Sequence, residues 1–245
     1  MDILDYHLLP TDQLKRLGLI VLQSDITLED EFRFFFADLP VNILVSRIPF
    51  ETYVTVDTLK EMCAHIGNSM ALLPKDAEFD CVAYCCTSGA LHIGHDTIEE
   101  LINTERQCQT VSNPMLAAIA AMKHINAKKI GYVSPYSPTV SQTMIDEFEN
   151  NDIEVATAAT FDVHDKVVGL IDPESTKQAC LNMIRNHDID AVFVSCTNTK
   201  CASIIVDIEQ ETGVTATSSN HALAWHIAQL TGLAKIRGKG KLFEC

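Results

Sequence analysis

The chain has 245 residues, 47% of them apolar, with a formal charge of −15 and a pI near 4.9. That length accommodates one large α/β domain or two small ones around a substantial core. The acidic balance argues against nucleic acid or an anionic membrane as partner, because both are bound through a basic face, and no apolar run approaches the roughly 20 residues that span a bilayer.

In chain order, residues 15–22 read as a first buried strand, followed by a helix that begins at Thr27 with acidic residues in its first turn. Residues 41–48 are a second strand, 58–73 an amphipathic helix, 81–85 a third strand and 95–104 a helix. A short fourth strand over 109–111 ends at Ser112-Asn113, and Pro114 opens a helix over 115–124. The order then repeats. Strands are expected over 128–134, 153–160, 191–195 and 214–217, with helices over 140–150, 172–186, 202–208 and 222–231. The basic, glycine-containing tail over 235–241 is expected to fray. Short apolar strands alternating with helices predict a parallel sheet covered on both faces. The fold class is α/β, with two pseudo-symmetric Rossmann-like halves of about four strands each and an active site in the cleft between them. Residues 1–113 with 222–245 are assigned to one half and 114–221 to the other. The amino-terminal stretch carries Asp2 and Asp5 instead of the basic start and apolar core of a signal peptide. With nine cysteines in such a chain, reduced thiols in a cytoplasmic protein are expected.

One pattern occurs twice: Asp80 to Ser88 (D-C-V-A-Y-C-C-T-S) and Asp190 to Asn198 (D-A-V-F-V-S-C-T-N). Each opens with Asp, runs through mostly apolar residues and stops at Cys-Thr. Gly18 and Cys86 are 68 residues apart, Gly131 and Cys196 65, so the halves correspond element by element. Each thiol is therefore expected between a strand end and a helix start, where free N–H groups lower a thiol pKa. Ligands in such sheets bind beyond the carboxyl ends of the strands. That rule places residues 23–25, 86–88, 134–137 and 196–198 around one cleft. The Ser-Asn pairs at 112–113 and 219–220 either line it or cap the helices that follow.

Cys63, Cys81, Cys108 and Cys180 read as packing residues, and Cys85 faces the core. Cys86 and Cys196 stand apart because each ends a strand at the equivalent point of a repeat. Cys81 with Cys85, or His92 with His95, lacks a familiar zinc spacing, so no metal is assigned. Cys86 and Cys196 have no resolving partner two residues on, which argues against redox exchange. Without a P-loop or a Gly-x-Gly-x-x-Gly after the first strand, nucleotide cofactors have no support. Thr87, Ser88, Thr197 and Asn198 are either loop caps or a nest for carboxylate oxygens, with Tyr136 a further donor. His221 and His226 read as packing or surface residues.

The combination C-T-S-G at Cys86 to Gly89, C-T-N at Cys196 to Asn198 and S-S-N-H-A-L-A-W-H at Ser218 to His226 resembles one branch of the aspartate/glutamate racemase superfamily. That branch holds the maleate cis–trans isomerases and arylmalonate decarboxylases. The likeness runs from Gly18 to Gly232. It implies an enzyme without cofactor or metal that acts on small carboxylic acids between two α/β halves, and a homodimer or higher homo-oligomer is expected. Cys at both thiol positions is similar to the isomerases, whereas the decarboxylases have Gly at the first, so the resemblance implies a cis–trans isomerase of a small unsaturated dicarboxylic acid. The resemblance implies Cys86 as nucleophile, Cys196 as acid/base, and Thr87, Ser88, Tyr136, Thr197 and Asn198 as carboxylate holders. The isomerases carry a carboxylate-binding Asn where this chain has Asp25, and near Asp165 the Asn of the second half is absent too. An ionised Asp repels a second carboxylate and suits an ammonium or hydroxyl group. Racemisation or epimerisation of an amino or hydroxy acid by two cysteine acid/bases is therefore the alternative, and an ectoine-utilisation-type subgroup also resembles this branch.

Overall fold

The structure, a computed structural model, describes residues 1, 3–8, 14–49, 56–233 and 236–244. Its first sheet takes β1 (Lys15–Leu22), β2 (Val41–Ile48), β3 (Cys81–Cys85) and β4 (Val111–Ser112) in the order β2-β1-β3-β4. The second takes β5 (Lys129–Ser134), β6 (Glu154–Thr160), β7 (Ala191–Val194) and β8 (Thr215–Ser218) in the order β6-β5-β7-β8. All pairings are parallel, and equivalent residues pair in the two sheets, Gly18 with Val82 and Gly131 with Val192. The fold class expected from the sequence is the one observed.

The Asp that opens each copy of the repeat has a structural task. Asp80 accepts the Arg16 N–H at 2.9 Å and the Lys15 ammonium at 2.8 Å, while Asp190 accepts the N–H groups of Lys128 and Lys129 at 2.7 and 2.8 Å. Each carboxylate thus pins the start of the neighbouring central strand. β3 and β7 are buried throughout, as expected of strands covered on both faces. β6 lies at a sheet edge and alternates between exposed and half-buried positions.

The helices are α1 (Leu28–Phe35), α2 (Val56–Ala71), α3 (Thr87–Ile93), α4 (His95–Glu105), α5 (Pro114–His124), α6 (Pro138–Glu149), α7 (Asp165–Val168), α8 (Pro173–Asn186), α9 (Ile205–Thr212) and α10 (Ser219–Thr231). Asn113 and Ser218 cap α5 and α10 through Leu116 N and His221 N, so the capping alternative holds for the 112–113 pair. Ser219 and Asn220 instead lie within the first turn of α10 and bond to Thr87 and Glu31. α5 and α10 pack together, and buried alanines on each (Ala117, Ala118 and Ala121; Ala222, Ala224 and Ala228) allow close approach.

Three expectations need correction. Two helices, α3 and α7, went unread, being too short to show a 3.6-residue period. α9 starts at Ile205 and not at Ala202. The tail is docked across residues 236–244: Ile236, Leu242 and Phe243 are buried, and His221 Nε2 lies 2.7 Å from the Lys239 carbonyl. Burial pushes the His221 pKa down to about 4. The neutral ring therefore donates from Nε2 to that carbonyl and accepts at Nδ1 from the Thr217 hydroxyl, 2.9 Å away. Lys235 lies outside the described residues.

Glu31 on α1 ties the segment after Cys196 to the first half. Its buried carboxylate accepts Cys201 N–H at 2.6 Å, Ala202 N–H at 2.7 Å and the Asn220 amide at 2.9 Å. Burial pushes its pKa up, and those three donors oppose the shift. Glu31→Ala leaves the donors buried and unpaired, so it should destabilise the protein by about 3 kcal/mol. A thermal midpoint lowered by roughly 6–12 °C is the expected reading, and a shift within error in thermal or urea unfolding contradicts the tie.

Candidate active site

In a sheet of order 2-1-3-4, the chain leaves β1 toward one edge and returns across it to β3, opening a crevice between their carboxyl ends. The segment after β1 carries Ser24 and Asp25, and the one after β3 carries Cys86 to Ser88. In the second half, Tyr136 follows β5 and Cys196 to Asn198 follow β7. The two crevices face each other and enclose one cavity of about 30 Å³, room for about two waters. All eight site residues expected from the sequence line it, as do Leu22, Ser24 and Asp165.

The thiols are held in different ways. Cys86 is extended (φ −145°) and caps α3, its sulfur accepting the Gly89 N–H at 3.3 Å with the Ser88 hydroxyl 3.9 Å away. Gly89 is needed for this approach, since a Cβ there would lie 2.5 Å from the Tyr84 hydroxyl and 3.1 Å from the Cys86 sulfur. Cys196 has φ +86°, a left-handed conformation that strains a non-glycine residue. An irregular stretch follows it, not a helix start.

The expected lowering of both thiol pKa values is not found. Burial raises Cys86, opposed by the Gly89 N–H and the Ser88 hydroxyl. Burial pushes Cys196 up to about 12, with the Asn198 N–H opposing it and the charge of Asp25 adding to it. Desolvation of a thiolate outweighs the few N–H donors near each sulfur. Tyr136 is half-buried, and its hydroxyl favours the Cys196 thiolate as Ser88 favours that of Cys86.

Several polar side chains around the cavity bond to protein. Thr87 Oγ1 donates to Ser219 Oγ at 2.8 Å, Thr197 Oγ1 to the Cys85 carbonyl at 3.3 Å, and Thr27 Oγ1 to the Asn198 carbonyl at 2.9 Å. Asn198 Oδ1 accepts Ile26 N–H at 3.0 Å, and its amide donates to the Ser24 carbonyl at 3.3 Å. These bonds stitch the post-β7 segment to the post-β1 loop. Gly169, just after α7, has no room for a side chain: a Cβ would lie 2.6 Å from Ile26 and 2.7 Å from Asn198 Oδ1. α7 therefore closes tightly on that loop and brings Asp165 into the cavity wall.

A sequence model of the arylmalonate decarboxylase family matches residues 54–243. The chain belongs to the arylmalonate decarboxylase family. It is 23% identical over 241 residues to the maleate isomerase of Geobacillus stearothermophilus, covering 89% of this chain and 92% of that one. A variant of the maleate isomerase Iso from Pseudomonas putida S16, solved with maleate, superposes with a TM-score of 0.84 at 22% identity over 94% of this chain and 97% of its own. A cysteine-to-serine variant of Nocardia farcinica maleate cis–trans isomerase with a covalently bound succinylcysteine intermediate gives 0.83 at 21% identity, covering 94% and 98%. Unliganded arylmalonate decarboxylase gives 0.75 at 15% identity, covering 94% and 99%. These superpositions agree on the fold, two four-stranded parallel sheets flanked by helices.

Asp165 was noted in the sequence only for a missing Asn, and nothing in its exposed, polar neighbourhood marked it as a wall of the cavity. Ser24 lay within the cleft segment without a role. In this family member Asp165 is brought in by the docking of α7 on the post-β1 loop that carries Ser24, a contact that no local pattern encodes. The raised thiol pKa values have a direct consequence for reactivity, because only the thiolate is alkylated. Iodoacetamide labelling of Cys86, mapped by peptide mass from about pH 6 to about pH 10, should climb without levelling off below pH 9.0, the ordinary thiol value. Cys196 should label more slowly than Cys86 at every pH. A plateau for Cys86 below about pH 8 contradicts a thiol governed by burial.

Proposed function

We propose that this protein is a cysteine-dependent cis–trans isomerase of a small unsaturated acid. The observation that carries this reading is the pair of thiols, one from each half, lining one closed cavity at the carboxyl ends of the central strands. Cys86 is the nucleophile, because its sulfur receives a helix-start N–H and a hydroxyl, the donors that stabilise a thiolate. Cys196 is the acid/base. With its pKa pushed up to about 12 it holds its proton at neutral pH, as a general acid must before it acts.

The Cys86 thiolate forms a C–S bond to one alkene carbon, and the π pair takes the Cys196 proton onto the other. The former double bond, now single, rotates. Cys196 then removes that proton, the C–S bond breaks with its pair returning to the Cys86 sulfur, and the trans alkene leaves with the Cys86 thiolate and the Cys196 thiol restored. The Ser88 and Tyr136 hydroxyls, one beside each sulfur, are donors suited to a substrate carboxylate.

Cys86→Ala should lower turnover of a cis-unsaturated acid by about 10³-fold or more, followed by proton NMR of the trans product. Cys196→Ser should instead accumulate protein heavier by one substrate molecule, with the adduct mapped to Cys86. Full activity in either variant, or an adduct on any other cysteine, rejects the assignment. Deuterium incorporated from D₂O at a saturated α-carbon, without alkene conversion, would point to a racemase.

A further inference from the structure

Among the described residues, the cavity wall carries two carboxyl groups and no Lys, Arg or His, a setting poorly matched to a dianion. Asp25 is 3% exposed. One of its oxygens, Oδ1, accepts the N–H groups of Thr27 and Leu28, both at 2.9 Å, and so caps α1. The other, Oδ2, is buried and has no hydrogen-bond partner among the described residues. Asp165 Oδ2 is buried and unpartnered in the same way. The two come from opposite halves, Asp25 after β1 and Asp165 at the start of α7, and both lie close enough to Cys86 to raise its pKa by their charge. Burial also raises the Asp165 pKa, a hydrogen bond from the Ser24 hydroxyl to that carboxyl opposes the shift, and the charge of Asp25 adds to it.

A carboxylate oxygen only accepts hydrogen bonds, and a buried acceptor without a donor is costly. Two such oxygens, on residues that line one cavity, call for a ligand that brings donors to that end. The proposed reaction narrows the choice. Thiol addition needs an alkene conjugated to a carbonyl, and an amino group on an alkene carbon feeds electron density into it and suppresses the addition. A donor on the acyl group itself leaves the alkene electrophilic and lies at the end of the conjugated system. A primary amide keeps the carbonyl and offers two N–H groups, one for each orphan oxygen.

Resting on the isomerase reading, we propose that the substrate is the monoamide of a cis-unsaturated dicarboxylic acid, of which maleamate is the simplest. Its amide NH₂ bridges Asp25 Oδ2 and Asp165 Oδ2, and its single carboxylate faces the hydroxyls of Ser88 and Tyr136. A second carboxylate in place of the amide meets two like charges and supplies no donor.

Titration calorimetry with succinamate and succinate, saturated probes that cannot react, tests recognition apart from turnover. At about pH 8, where free carboxylic acids are ionised, the wild-type protein should bind succinamate about 10-fold or more tighter than succinate. Asp25→Asn keeps an acceptor oxygen for Thr27 and Leu28, so α1 stays capped. It should move the preference toward succinate by about 10-fold, and Asp165→Asn should do the same independently. Equal or tighter binding of succinate by the wild type, binding of neither probe, or an unchanged ratio in both variants overturns the proposal. Isomerisation of maleamate, followed separately by proton NMR, tests the reaction itself. A preference for succinamate without isomerisation of maleamate would sustain the amide site and reject the isomerase reading.

Discussion

The structure depends on hydrogen bonds that cross from one half to the other around a closed cavity. Glu31 reaches from α1 to the backbone of Cys201 and Ala202, and Asn220 bonds both to Glu31 and to the Thr197 carbonyl. Asn198 bonds to Ser24 and Ile26, and Thr87 to Ser219. Each is a buried or half-buried polar group that would be costly unpaired. Neither crevice is closed by its own half. The post-β1 loop is shaped by residues after β7, so the positions of the two sulfurs follow from how the halves meet.

That dependence changes the chemistry expected of the thiols. A sulfur at an exposed helix start is acidified by N–H donors, but here both sulfurs are buried and the loss of hydration dominates. The two sites differ even so. Cys86 retains the Gly89 N–H and the Ser88 hydroxyl, whereas Cys196 sits in a strained left-handed conformation with no helix start behind it. Two cysteines in matching motifs thus receive unequal support, which divides the work between a nucleophile and a proton carrier. A pseudo-symmetric scaffold yields an asymmetric pair.

Roles suggested by the motif also divide on inspection. Thr87, Thr197 and Asn198 line the cavity, but their side chains are engaged in holding it together. Ser88, Tyr136, Asp25 and Asp165 line the same cavity, and Asp25 and Asp165 each keep one oxygen without a partner among the described residues. Asp25 does both, one oxygen capping α1 and the other left bare. Conserving helix stability and presenting an acceptor are compatible because a carboxylate has two oxygens.

Much of this was legible in the amino-acid order. β1, β2 and β3 have the limits read from their sequences; for β1 and β3 the reason is that a strand buried on both faces needs an apolar segment with polar residues at its ends. The duplication, the parallel sheets and the placement of both thiols beyond strand ends follow from local pattern and from the switch-point rule. α3, α7, the docked tail and the wall formed by Asp165 were not legible, since short or polar segments gain their order from what they pack against. Sequence alone determined the fold class and which residue types gather at the cleft. Only the tertiary structure decided how dry that cleft is, which side chains are already bonded and which oxygens are left bare, because desolvation and hydrogen-bond satisfaction are set by neighbours distant along the chain.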